Sequence, residues 1–94
     1  MKSVIDGKLY DTEKAEYIAG WDNGKLNSNL DMVTEKLYQT KKGNFFLHRE
    51  GGARSIYDGE PAIKLLYEEE EVKEWLENRR QAEAYIELFD PEEA

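Results

Sequence analysis

The sequence predicts an α+β fold: a small antiparallel sheet of three to four strands, an N-terminal helix packed on it, and an acidic C-terminal helical segment. Three observations carry that prediction. Residues 37–52 read as a β-hairpin with apolar side chains on both faces. The segments before and after it repeat apolar residues at helical spacing. Ninety-four residues with 39% hydrophobic content, and with no internal repeat or low-complexity linker, suit one domain spanning 1–94.

Ser3 to Tyr10 reads as a short strand or β-ribbon interrupted by the turn dipeptide Asp6-Gly7. Asp11 or Thr12 offers an N-cap for a first helix, and Glu13 complements its dipole. Ala15, Ile18 and Ala19 supply the buried stripe of that helix, with Tyr10 stapling its start. Gly20 and then Asn23-Gly24 mark its exit, and Trp21 between them plugs the seam between helix and sheet. Lys25 to Asp31 is polar and rich in turn formers, hence a loop.

Met32 to Thr40 and Asn44 to Glu50 form the two arms of the central hairpin. The loop Lys41-Lys42-Gly43 fits a type I turn followed by a left-handed residue, with Gly43 at positive φ. Folding about it pairs Thr40 with Asn44, Tyr38 with Phe46, Leu37 with Leu47, Lys36 with His48 and Glu35 with Arg49. The register places an aromatic pair and an ion pair across the strands. Leu37, Phe45 and Leu47 then share one face, and Tyr38, Phe46 and His48 the other. Apolar content on both faces predicts an interior hairpin, covered in part on each side.

Ala53 to Pro61 carries a further turn signal at Tyr57-Asp58-Gly59, with Pro61 at an edge or a strand start. Ala62 to Leu66 is the next strand. Glu68 to Arg80 is a helix with Val72, Trp75 and Leu76 as its buried stripe, Tyr67 standing where a hydroxyl or short acidic cap is expected. Glu68 to Glu71 crowd its positive end and Arg79-Arg80 its negative end. Gln81 to Phe89 repeats Ala82, Tyr85, Ile86 and Phe89 at helical spacing, about a quarter turn out of phase with the preceding stripe. The phase change predicts a break near Asn78 to Gln81, and Asp90-Pro91 ends the segment.

Composition narrows the chemistry. The absence of cysteine excludes disulfides, thiolate metal sites and a cysteine nucleophile. No apolar run approaches the ~18 residues of a membrane span, and the first residues carry no apolar signal core, so the expectation is a reducing cytoplasm. The net charge of −8 is unevenly placed: residues 1–67 hold ten acidic and ten basic side chains, residues 68–94 eleven acidic and three basic. Such a field disfavours nucleic acid and anionic membrane as partners and favours a basic protein.

His48 is the only histidine. A catalytic role would need an orienting carboxylate and a nucleophile. Glu50 lies two residues on along the same strand face, and the ordinary reading is a partly buried strand histidine beside Lys36 and Phe46. One histidine, no cysteine and no Asp-rich loop give no expected metal or cofactor. Gly51-Gly52-Ala53-Arg54-Ser55 lacks the strand–loop–Lys–Ser/Thr–helix order of a nucleotide loop and reads as a turn. Lys41-Lys42 reads as a soluble turn without basic or aromatic neighbours.

The acidic helix surface is the best candidate. Glu70, Glu74 and Glu77 fall opposite Val72, Trp75 and Leu76, with neighbouring carboxylates about 5–6 Å apart. That is the scale of backbone phosphate spacing. Glu83, Glu87 and Asp90 extend the array beyond the break. The ordinary reading of such a face is a solvated helix surface that maintains solubility.

Tyr10 to Glu16, Thr40-Lys41-Lys42-Gly43-Asn44-Phe45-Phe46-Leu47-His48, Glu50 to Ala53, and the Glu-Glu-Glu-x-x-x-Trp pattern near the end resemble a family of small proteins of bacterial genomes, phages and other mobile elements. The resemblance spans most of the chain, and its motifs are structural in kind, none a catalytic signature. Arg49 in place of a small residue, Tyr67 in place of a hydroxyl cap, and a short segment after Gly52 depart from the pattern. The resemblance implies an accessory-genome protein of a setting where inhibitors of host defence, such as anti-CRISPR proteins, are frequent. Together with the charge distribution it leads to one expectation: a non-catalytic acidic inhibitor that mimics nucleic acid before a basic partner such as a CRISPR effector. The alternatives are a scaffold module self-associating as a homodimer through an exposed sheet edge, and a small His48-dependent enzyme.

Overall fold

Alternation of inward and outward side chains shapes the described strands up to Leu66, and helical periodicity the segments from Glu69 to Phe89. The computed structural model describes residues 1–25, 27, 30–52 and 62–94. β1 (Lys2–Ile5) and β2 (Lys8–Asp11) pair antiparallel with Ile5 opposite Lys8. Asp6 and Gly7 join them at φ 52° and 74°, the two positive values a type I′ hairpin turn demands. The β-ribbon expected over these residues is therefore present.

Four further strands make one antiparallel sheet in simple meander order: β3 (Glu16–Asp22), β4 (Val33–Gln39), β5 (Phe45–Gly51) and β6 (Ala62–Leu66). The central hairpin has the register read from the sequence, with Glu35 opposite Arg49, Lys36 opposite His48, Leu37 opposite Leu47 and Tyr38 opposite Phe46. Thr40 N–H donates to the Asn44 carbonyl at 2.8 Å, and Gly43 takes φ 93° as the loop requires. Of the loop expected at 25–31, Lys25, Asn27, Leu30 and Asp31 lie in neither helix nor strand. Asn23 holds its two ends, donating to the Asp31 carbonyl and accepting from the Lys25 and Val33 amides. The turn expected at Tyr57-Asp58-Gly59, the edge position of Pro61 and the loop beyond Gly52 lie outside the described residues.

The N-terminal helix expected after Asp11 is not formed; that segment is a turn leading into β3. Asp11 does cap a turn, its Oδ1 accepting from Glu13 N–H at 2.9 Å and its carbonyl from the Lys14 and Ala15 amides. The chain then extends, because Tyr17, Ile18 and Trp21 are strand formers with a ready partner in β4. A β-bulge explains the misleading pattern. Tyr17 pairs with Tyr38 and Ala19 with Leu37, so Ile18 is the extra residue and the inward parity switches at that point. Apolar residues at 15, 18 and 19 thereby imitate helical spacing.

α1 (Glu69–Asn78) and α2 (Ala82–Phe89) cover one face of the sheet. Val72, Trp75 and Leu76 of α1 meet Ala19, Leu37, Leu47 and Leu66 in the core. Leu37, Val72 and Leu76 have no accessible surface, and burying each stabilises the fold by about 1.5–3 kcal/mol. The N-cap of α1 is Glu68 rather than Tyr67, and Glu71 accepts from the Glu68 amide at 3.3 Å. A carboxylate reaching back from the first turn thus replaces the expected hydroxyl cap.

The predicted break is present: Arg79 caps α1, Arg80 turns left-handed at φ 56°, and Gln81 begins α2. Gln81 Nε2–H donates to the carbonyl of Gly20 in β3 at 3.0 Å, which fixes the break against the sheet. The inward stripe of α2 differs from the one expected. Ala84, Tyr85, Leu88 and Phe89 pack on the core, whereas Ala82 and Ile86 are exposed. Six of the eight residues of α2 are apolar, so periodicity alone left the helix phase open and the turn at Arg80 sets it. Asp90 closes the helix in the left-handed conformation at φ 45°.

Candidate functional site

The carboxylates of α1 divide by task. Glu69 pairs with Lys73 at 3.6 Å, and Glu68 with Glu71 closes the first turn. The carboxylates of Glu70, Glu74 and Glu77 make no ion pair or hydrogen bond with any described residue, and all three residues are exposed. They lie on the side of α1 opposite the buried Val72, Trp75 and Leu76, since the spacing of three and four residues returns to one helix face. Glu83 and Glu87 are one turn apart on the exposed side of α2, flanking Ile86, and Asp90 is taken up as the helix C-cap. The structure therefore gathers Glu70, Glu74 and Glu77 on one face and places Glu83 and Glu87 on a second helix across the Arg79–Gln81 break.

What presents this face rigidly is a buried ionic anchor beneath it. Glu35 stands in β4 between Val33 and Leu37, pointing inward, and is 4% exposed. Its Oε1 accepts from Trp75 Nε1–H at 3.0 Å and from Arg79 Nε–H and Nη2 at 2.9 Å each. The Arg79 guanidinium in turn lies over the Trp21 ring at 3.9 Å, a cation–π contact. One carboxylate thus bolts the last turn of α1 and the C-cap to strands β3 and β4. A buried charge is tolerated only with such partners. The sequence placed Arg79 as a dipole complement and Glu35 opposite Arg49; the alternation Val33–Glu35–Leu37 was the signal that this glutamate faces the core.

His48 lies on the other face of the sheet, with Lys36 and Ile63 directly across from it. Its Nε2 is buried with no hydrogen-bond partner among the described residues. Burial pushes the imidazole below its usual 6.5, Glu50 opposes that shift, and the N-terminal ammonium and Lys36 reinforce it. Among the described residues no three His, Asp or Glu side chains converge to hold a metal, and no helix is long and apolar enough to cross a membrane.

Compared with known protein families, characterised proteins and solved structures, the chain matches none. The functional reading accordingly rests on geometry and charge.

Proposed function

We propose that this chain is a non-catalytic binding protein that presents the outer carboxylates of α1, Glu70, Glu74 and Glu77, to a basic partner, with Glu83 and Glu87 of α2 widening the contact. One observation carries the reading. Glu68, Glu69 and Glu71 are engaged in the cap or with Lys73, whereas the carboxylates of Glu70, Glu74 and Glu77 have no described partner and share the exposed face. Three carboxylates spaced about 5–6 Å apart on a rigid helix resemble a short run of phosphates. A protein that grips nucleic acid through Lys and Arg would accept such a face in its place. In this reading the chain is a phage or mobile-element inhibitor of anti-CRISPR kind, acting in the bacterial cytoplasm on a nucleic-acid-handling protein, without cofactor or metal.

The test is competition. The chain is used as bait in bacterial lysate, and bound protein is eluted with duplex DNA or with single-stranded oligonucleotide. The reading expects a basic nucleic-acid-binding protein released by polyanion, and inhibition of that protein's nucleic-acid binding by the purified chain. A captured partner that polyanion does not displace would contradict it.

A further inference from the structure

Cationic charge gathers where the β-ribbon meets the tip of the central hairpin. The tip of the β4–β5 hairpin, the β1–β2 turn and the turn after Asp11 enclose a concavity of about 390 Å³. Lys8, Lys14, Lys41 and Lys42 all line it. These are four of the chain's 13 cationic side chains, converging from three separate segments. The expectation that Lys41-Lys42 has no basic or aromatic neighbour is therefore corrected: the fold brings two further lysines and Tyr10 beside it.

None of the four lysines makes an ion pair or a side-chain hydrogen bond with a described residue. Asp11 is the one carboxylate among the described residues of the lining, and its Oδ1 is committed to the Glu13 amide. Counting four lysines against Asp11, the lining carries +3 in a chain of net −8. Like charges facing one concavity repel, and low-dielectric walls focus their field into it. Bound anionic charge removes that repulsion.

The floor adds a second kind of complementarity. Tyr10 is 6% exposed, its ring held edge-on to Phe46 at a centroid distance of 5.6 Å. Ala15 continues the apolar surface, while Leu9, whose side chain leaves β2 on the side opposite to Tyr10, is 47% exposed at the rim. A cationic rim over a fixed apolar floor suits an amphiphilic anion better than a bare inorganic one. The volume lies within the range of about 300–1,000 Å³ typical of small-molecule pockets. We infer that this concavity binds a phosphomonoester with an aromatic or apolar body, of mononucleotide size, the phosphate held by Lys8, Lys14, Lys41 and Lys42 and the body lying against Ala15 and the edge of Tyr10.

The inference is independent of the acidic face and is tested without a protein partner. Adenosine monophosphate, adenosine and inorganic phosphate are each titrated into the full chain while amide shifts are followed by NMR. Saturable shifts are expected at Lys8, Lys14 and residues 41–44 with adenosine monophosphate, and at least tenfold weaker binding with adenosine or with phosphate alone. The K8Q/K14Q/K41Q/K42Q variant replaces only exposed side chains, so its circular dichroism should be unchanged while its affinity for adenosine monophosphate falls at least tenfold. Equal affinity for phosphate and adenosine monophosphate would overturn the apolar half of the proposal. Absence of saturation, binding that survives in the folded variant, or an oligonucleotide held more tightly through the same lysines would overturn the whole.

Discussion

The two faces of the four-stranded sheet are built by different means. On one face, aliphatic side chains of the strands meet α1 and α2, and a single buried carboxylate, Glu35, ties the helix to the sheet. On the other, rings pack on rings: Tyr38 stacks on Phe46 at 5.4 Å, Tyr10 meets Phe46 edge-on, and Tyr17 meets Tyr38 edge-on at 5.7 Å. The helix-covered face holds most of the fully buried residues, whereas the aromatic face leaves Tyr17 54% exposed. Burial on the aromatic face also perturbs titratable groups. Tyr38 is pushed above 10.0 by burial and then by Tyr17, and His48 is pushed below 6.5. The contrast teaches that the helices have two jobs on opposite sides, closing the core inward and carrying unpaired carboxylates outward.

The most damaging break in that contrast is Glu35→Ala. It leaves Arg79 partly buried without its carboxylate and frees the Trp75 indole N–H, and a loss of about 3–5 kcal/mol in urea unfolding is expected. A loss under 1 kcal/mol would show that the anchor is ornamental. Leu76→Ala on the same face should cost about 2–5 kcal/mol, depending on how far the cavity collapses. Tyr10→Leu on the aromatic face keeps most of the burial and removes the edge-on contact, so about 0.5–1.5 kcal/mol is expected. If Tyr10→Leu proved as costly as Leu76→Ala, the asymmetry between the faces would be wrong.

His48 sharpens the comparison through pH. Its folded pKa lies below the 6.5 of the unfolded chain because burial favours the neutral ring. The unfolded state then binds the proton first. Stability contributed by the neutral ring is present above pH 6.5 and is lost as pH falls through 6.5 toward the folded pKa. Thermal denaturation from pH 8 to pH 5 should show that component, and His48→Gln should remove it. An unchanged profile in the variant would assign the pH dependence elsewhere.

How much of this was legible in the chain varied from residue to residue. The β4–β5 hairpin was readable down to its register, because the Lys41-Lys42-Gly43 loop fixes the pairing and both arms alternate consistently. The Val72–Trp75–Leu76 stripe and the break after Asn78 were readable for the same reason, a clean period and a phase change. β3 was not, since the bulge at Ile18 converts a strand's alternation into a helix-like spacing. The phase of α2 was hidden by apolar residues on too many sides. Within the candidate site, Glu70, Glu74 and Glu77 were legible because helix geometry alone puts them opposite the core. The Glu35 anchor and the four-lysine concavity needed tertiary neighbours, Trp75 and Arg79 from some forty residues away and lysines from three segments.

If the outer face of α1 serves recognition, removing its charge should abolish capture and leave the fold intact. The most direct measurement compares the native chain with Glu70/Glu74/Glu77→Gln for both thermal stability and capture of the polyanion-displaceable partner. Each like-charge neighbour pair on a helix face costs about 0.2–0.5 kcal/mol, and Glu70 in the first turn gains about 0.3–1 kcal/mol from the helix dipole, so the two effects offset, and the variant should keep its stability to within about 1 kcal/mol and capture nothing. A variant that still captures the partner, or one that loses stability together with binding, would contradict the account.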